Sequence, residues 1–181
     1  MIYAGHADSL QAILAHQGGE DNLFYTLSHI QPDAFPSKMG TPWKPTIRDF
    51  LYTDYLAFDI DGLSPAQDLA DVERACEQLS SVPFNDQQDE RHYIASGHGV
   101  HWLIRIPRQT SVEFFQQYAM RYRYACLLLQ TALLEVHIEC KQVDPTIFEA
   151  SRVLRVPGTK NLKPDKEPVD CRLMESLGVI T

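Results

Sequence analysis

No stretch of the sequence holds the roughly 18 consecutive apolar residues that a membrane-crossing helix needs. The first residues, Met1-Ile-Tyr-Ala-Gly-His-Ala-Asp8, lack the basic stretch followed by an apolar segment that marks a secretory signal. Only four cysteines occur (Cys76, Cys126, Cys140 and Cys171), none in a CxxC pair, so neither a zinc knuckle nor a disulfide framework is signalled. Together these absences point to a cytoplasmic protein with reduced thiols and no membrane partner. Positive charge is also short: 16 Lys and Arg face 24 Asp and Glu, for a net charge of -8. That balance argues against a generally basic nucleic-acid coat. Internal repeats and low-complexity tracts are missing too.

What is present is ordinary in amount and uneven in placement. Hydrophobic residues make up 44% and charged residues 22% of the 181 positions, as in one globular domain able to bury a core. Between Lys141 and Lys166, six basic residues (Lys141, Arg152, Arg155, Lys160, Lys163 and Lys166) outnumber three acidic ones (Asp144, Glu149 and Asp165). A net-positive segment in an acidic chain suits an anionic ligand, although a solvated basic loop has the same composition.

The stretch with the most chemical content is Tyr55-Leu-Ala-Phe-Asp59-Ile-Asp61-Gly62. It reads as a short apolar strand ending in two aspartates one residue apart. Strand side chains alternate, so Asp59 and Asp61 share a face while Phe58 and Ile60 point into the core. Two adjacent carboxylates repel by roughly 4 kcal/mol at an effective dielectric near 20, so they call for a counter-charge. Magnesium or manganese, both suited to hard oxygen ligands, is one answer. A solvated Asp-Gly turn is the other. A calcium loop is excluded, because its third ligand position falls on Leu63.

Upstream, Asp8 or Ser9 can cap a helix that Gly18-Gly19 ends, and Leu23–Ser28 reads as a strand. The proline-rich stretch from Gln31 to Lys44 reads as loop, leading to a turn or short helix before the aspartate strand. Downstream, Ser64-Pro65 starts a helix running to about Leu79. Arg91–Ala95, Ser96–Gly99 and Val100–Ile106 form a β-hairpin, with Val100, Trp102, Ile104 and Ile106 on one face. Ser111 caps a long helix from about Val112 to Leu134. A strand near Val143-Asp144, a turn of helix begun by Pro145, a strand at Arg152–Val156 and a last one at Cys171–Met174 complete the chain. From Leu56 the order is β-α-β-β-α-β, the split βαβ pattern of ferredoxin-like and RNA-recognition-like sheets.

Two further segments carry candidate chemistry. In Ser96-Gly97-His98-Gly99-Val100-His101, the glycines permit positive φ and expose backbone N–H groups that suit a phosphate, with His101 as an adjacent donor. A plain hairpin turn with an incidental histidine is the structural alternative. The third segment is Val143-Asp144-Pro145 with Ser151-Arg152 to Lys163 downstream. Asp144 is able to complete a carboxylate cluster with Asp59 and Asp61, and Arg152 and Lys163 supply cations of the kind that hold triphosphates. Arg155, three residues from Arg152, faces the other way on a strand. Surface residues on an edge strand would read the same.

In this order the three segments resemble the archaeo-eukaryotic primase superfamily, in particular the primase-polymerases of phages, plasmids and mobile elements. The family's hhhDhD strand matches Phe58-Asp59-Ile60-Asp61, and its SGxGxH motif matches Ser96 to His101 at every fixed position. Its third acidic residue and RxPGTxNxK stretch look like Asp144 and Arg155-Val-Pro-Gly-Thr-Lys-Asn-Leu-Lys163. The resemblance spans about Leu23 to Lys163, with Gln31-Pro32 in place of the family's Asn-Pro. It implies an α+β fold: residues 1–50 as an N-terminal α/β unit packed on an RNA-recognition-like catalytic unit at 51–181. It implies that Asp59, Asp61 and Asp144 are catalytic and ligate two Mg2+ or Mn2+ ions. Ser96, Gly97, Gly99 and His101, helped by a basic residue among Arg152, Arg155 and Lys163, would bind the nucleoside triphosphate. The implied activity is that of a DNA primase or DNA polymerase extending a 3′-hydroxyl on a single-stranded template. Gly158-Thr-Lys160 is not a complete Walker A motif, so a helicase would lie on another chain or outside this sequence.

Three other readings compete. A glycosyltransferase also uses an Asp-x-Asp pair, but has no use for the glycine hairpin. A non-catalytic RNA-recognition-like binding or replication-initiation module would stack bases on Tyr93 and Trp102, which core packing also explains. An inactive relative serving as a scaffold would not need the full aspartate set.

Overall fold

The computed structural model describes residues 24–31, 46–63, 69–78, 91–162 and 167–174. The expected N-terminal helix, the proline-rich loop, the Ser64-Pro65 helix start and Lys163 lie outside the described residues. Among the described residues, ten strands and two α-helices follow in the order β1 (Phe24–Thr26), β2 (His29–Ile30), β3 (Phe50–Asp61), α1 (Leu69–Gln78), β4 (Arg91–Ala95), β5 (Gly99–Gln109), α2 (Glu113–Glu135), β6 (Gln142–Val143), β7 (Val153–Arg155), β8 (Lys160–Asn161), β9 (Val169–Asp170) and β10 (Arg172–Met174). A 3₁₀ turn at Ile47–Asp49 leads into β3, as the turn or short helix expected there. The Thr46 hydroxyl and backbone N–H both donate to the Asp49 carboxylate, which fixes that entry.

The fold is mixed α+β, built on one antiparallel sheet in the order β10-β4-β5-β3-β2, with β6 also on β3. Within it, β4-β5-β3-β6 interleaves the two β-α-β units in the split arrangement that the element order implied. β3 is the long central strand: β5 covers one edge, and β2 and β6 take opposite ends of the other. The described part of residues 1–50 is woven into this frame, since β2 pairs with β3 and β1 forms a two-stranded sheet with β7. β8 and β9 form a third small sheet.

Alternation decides the faces. Leu56, Phe58 and Ile60 of β3 and Val100, Trp102, Ile104 and Ile106 of β5 are all buried. Phe58 stacks between Trp102 and Tyr122 of α2, with ring centroids 5.2 and 5.0 Å apart, and Tyr122 stacks on Phe148. Tyr93 and Trp102 are therefore core residues, not a base-stacking platform; their rings lie parallel inside the protein. The Tyr122 hydroxyl donates to the Ala57 carbonyl at 2.8 Å and ties α2 to the middle of β3. No helix among the described residues is long and apolar enough to cross a membrane.

Pro145 starts a turn and not a turn of helix, and the Thr146 N–H within it donates to the Asp144 carboxylate. At the far end of the hairpin, register slips between Thr53 and Tyr55, opposite the stretch of β5 that holds Pro107. Proline cannot donate to the ladder, and the buried Thr53 hydroxyl instead donates to the Tyr55 carbonyl at 2.9 Å.

Candidate active site

The pairing of β3 with β5 sets Asp59 directly across from His101, and Asp61 across from Gly99. Phe58 and Ile60 are fully buried on the helix side, while Asp59 and Asp61 stay partly accessible on the other, as alternation requires. The hairpin turn fixes this register. Ser96 N–H donates to the Gly99 carbonyl at 2.9 Å, and Gly62 N–H donates to the His98 carbonyl at 2.8 Å. At Gly99 any Cβ would overlap the Ile60 carbonyl oxygen, so only glycine lets β5 approach β3 this closely. Gly97 has φ +94°, a conformation that side-chain-bearing residues rarely adopt.

Asp144 reaches the same end of the sheet through β6. Val143 pairs with Ile60, and Asp144 N–H donates to the Asp59 carbonyl at 2.8 Å. Asp144 Oδ1 accepts from both the N–H (2.8 Å) and the hydroxyl (2.7 Å) of Thr146, an Asx turn that holds the carboxylate in place. Its other oxygen lies 3.6 Å from Arg152 Nη2, and the same nitrogen lies 3.9 Å from Asp59 Oδ2. One guanidinium is thus shared by two carboxylates. These separations are longer than hydrogen bonds, so the attraction is charge–charge.

His101 is buried, with Nε2 3.6 Å from Asp59 Oδ1. Burial, then the charges of Arg152 and Arg155, push its pKa down to about 4. The imidazole is therefore neutral at pH 7, and its contact with Asp59 is not an ion pair there. His101 Nδ1 and Arg152 Nε are buried with no hydrogen-bond partner among the described residues.

The remaining expected residues sit around this group. Arg155 lies half-buried with its guanidinium 4.8 Å from the Phe24 ring centre, and burial lowers its pKa. The turn at Ser96 and Gly97 is covered by the downstream segment, where Asn161 Nδ2 donates to the Ser96 carbonyl at 2.6 Å. That segment is itself held by Gly158 N–H to the Cys171 carbonyl and Cys171 N–H to the Thr159 carbonyl, each 2.7 Å. The second and third sequence segments therefore touch. Asp61 stands two residues along the same strand face, paired with Gly99 and Gln142, and takes no part in the Arg152 ion pairs.

Among the described residues, no three His, Cys, Asp or Glu side chains are gathered as a metal-ligand set. The donor chemistry at Asp59 and Asp144 nevertheless fits a hard divalent cation: two carboxylates converge on one positive charge, and that charge is carried on a long, rotatable stem. Thr146, which has a structural role in the site, was not picked out from the sequence, although Asp-Pro-Thr is a recognisable Asx-turn string. Asn161 stands at the fixed Asn of the RxPGTxNxK stretch, but nothing local marks it as the residue that seals the hairpin. Compared with family models, curated proteins and solved structures, the chain finds no match in any of the three.

Proposed function

We propose that this chain is a template-directed nucleotidyltransferase, a DNA primase or DNA polymerase with the primase-polymerase fold, serving replication of a mobile element, phage or plasmid. The observation that carries the reading is the convergence of Asp59, His101, Asp144 and Arg152, drawn from three separated segments, at one end of the sheet. Arg152 carries a planar fork suited to phosphate oxygens, and turning it from the carboxylates to a triphosphate keeps its charge compensated. Neutral His101, with an unpartnered buried nitrogen, is a donor to phosphate that adds no net charge. Asp59 and Asp144, with Asp61 beside them, would hold Mg2+ or Mn2+, which when bound supplies charge neutralisation at phosphoryl oxygens and acidifies a 3′-hydroxyl. In the reaction that hydroxyl oxygen bonds to the α-phosphorus while the bond to pyrophosphate breaks, so the protein's part is positioning and charge compensation. Its partners would be a single-stranded template, a primer and nucleoside triphosphates in the cytoplasm, with a helicase on another chain or outside this sequence.

One observation favours a second reading. Arg152 already compensates Asp59 and Asp144, which a non-catalytic nucleic-acid-binding or replication-initiation module would need no metal to achieve. A single extension assay separates the two. The chain is incubated with single-stranded template, with and without primer, with ribo- or deoxynucleotides, and with Mg2+ or Mn2+. Metal-dependent product is expected; template binding that is indifferent to metal and yields no product under any condition would favour the module.

A further inference from the structure

α2 is apolar on two opposite sides. One side (Phe114, Tyr122, Ala125, Cys126, Leu129, Ala132 and Leu133) is buried in the core. The other carries Met120, Tyr124, Leu127 and Leu134, which are 72%, 63%, 65% and 57% exposed, with Leu128 beside them. With Thr131 these positions advance in alternating steps of four and three residues, which is the a/d spacing of a helix that packs against another helix. At about 1.5 Å per residue the seam from Met120 to Leu134 is about 21 Å long, and it lies on the far side of the helix from the candidate active site's strands. A solvated helix face has no need of this spacing, and isolated exposed residues would not fall on one line.

We propose that this outer face of α2 pairs with the same face of a second copy of the chain, antiparallel about a two-fold axis near Leu127 and Leu128. Charge selects both the occupant and the direction. Arg121 and Glu135 are exposed on the same flank of the seam, one near each end. An antiparallel pair about that axis brings Arg121 of each copy level with Glu135 of the other, twice over. A parallel pair would instead set Arg121 beside Gln116 and Glu135 beside Gln130 of the second copy, with no opposite charges meeting. On the opposite flank, Arg123 falls beside the uncharged Gln130 of the second copy. Such a self-complementary patch is what a closed two-fold dimer requires.

The test is the mass of the full chain in solution, by light scattering or sedimentation over the micromolar range, with circular dichroism to check that each variant is folded. Wild type is expected at twice the 20.6 kDa chain mass. Leu127→Glu and Tyr124→Glu are each expected to give folded monomer. Arg121→Glu alone is expected to move the monomer–dimer midpoint to roughly tenfold higher concentration, and Arg121→Glu with Glu135→Arg to bring it back. A wild type that stays monomeric throughout would overturn the proposal, whether residues 1–23 or another partner covers the seam. So would a dimer indifferent to Leu127→Glu, or a double charge swap that fails to restore pairing.

Discussion

Asp59 and His101 face each other across β3 and β5, 3.6 Å apart, and the imidazole is uncharged at neutral pH. Burial and the nearby arginines keep the imidazole uncharged, so Asp59 draws its compensation from Arg152 instead. The two residues therefore divide the work: one holds negative charge at the sheet's end, and the other offers a neutral donor beside it.

Substituting each separates those tasks. Asp59→Ala or Asp61→Ala is expected to abolish primer extension while leaving the thermal transition near that of wild type. His101→Ala is expected to raise the nucleotide KM by roughly 10- to 150-fold, the value of one hydrogen bond to a charged phosphate at about 1.5–3 kcal/mol. An unchanged nucleotide dependence would make His101 a packing residue only.

Arg152 connects two carboxylates that would otherwise repel. Arg152→Ala is expected to lower stability at pH 7 by about 1–2 kcal/mol, since both partners keep some solvent access. Added Mn2+ should then raise the melting temperature of the variant more than that of wild type, because the ion takes over the lost charge. Equal shifts in the two proteins would show that Asp59 and Asp144 do not bind the ion together.

Gly99 sets how closely the hairpin approaches β3. Gly99→Ala puts a methyl group into the Ile60 carbonyl oxygen, and the strands must part. A loss of about 1–3 kcal/mol in denaturant unfolding is expected, with loss of activity through the displaced Asp59–His101 register. Melting and extension at wild-type values would mean that the turn relaxes without moving the site.

Much of this was legible in the chain itself. The aspartate strand, the hairpin, α2 and the split βαβ order follow from period and turn residues, which are local signals. The pairing of β1 with β7, the Asn161 bond to the Ser96 carbonyl and the sharing of Arg152 are not local. They join residues far apart in sequence, and no spacing rule encodes which loop closes over which turn. Even the alternation of β5 was only half informative. His101 and Leu103, on the face of β5 opposite Val100 and Trp102, are buried as well.

The end of α2 offers a purely structural test. His137 has φ 61° and follows the last helical turn, with His137 N–H donating to the Leu134 carbonyl (3.0 Å) and Ile138 N–H to the Leu133 carbonyl (2.8 Å). This is the Schellman pattern, and its left-handed position usually holds glycine. His137→Gly is expected to stabilise the protein by about 0.5–1 kcal/mol, read as a higher denaturation midpoint at unchanged slope. A lower midpoint would show that the histidine side chain contributes more than its backbone strain costs.

Two thiols tie stability to alkaline pH. Burial pushes Cys126 up to about 12 and Cys171 up to about 11. In the unfolded chain both ionise near pH 8.5. Between those limits the folded protein holds protons that the unfolded chain has released, so stability falls as pH rises from about 8.5 through 11 and beyond. Unfolding in denaturant at stepped pH is expected to show that decline, and Cys126→Ala with Cys171→Ala to flatten it from a lower starting stability. In the native protein both thiols should resist a thiol-reactive dye at pH 8, while the half-buried Cys140 reacts first. Rapid labelling of Cys126 or Cys171 without denaturant would mean that the core around α2 or β10 opens far more readily than its packing implies.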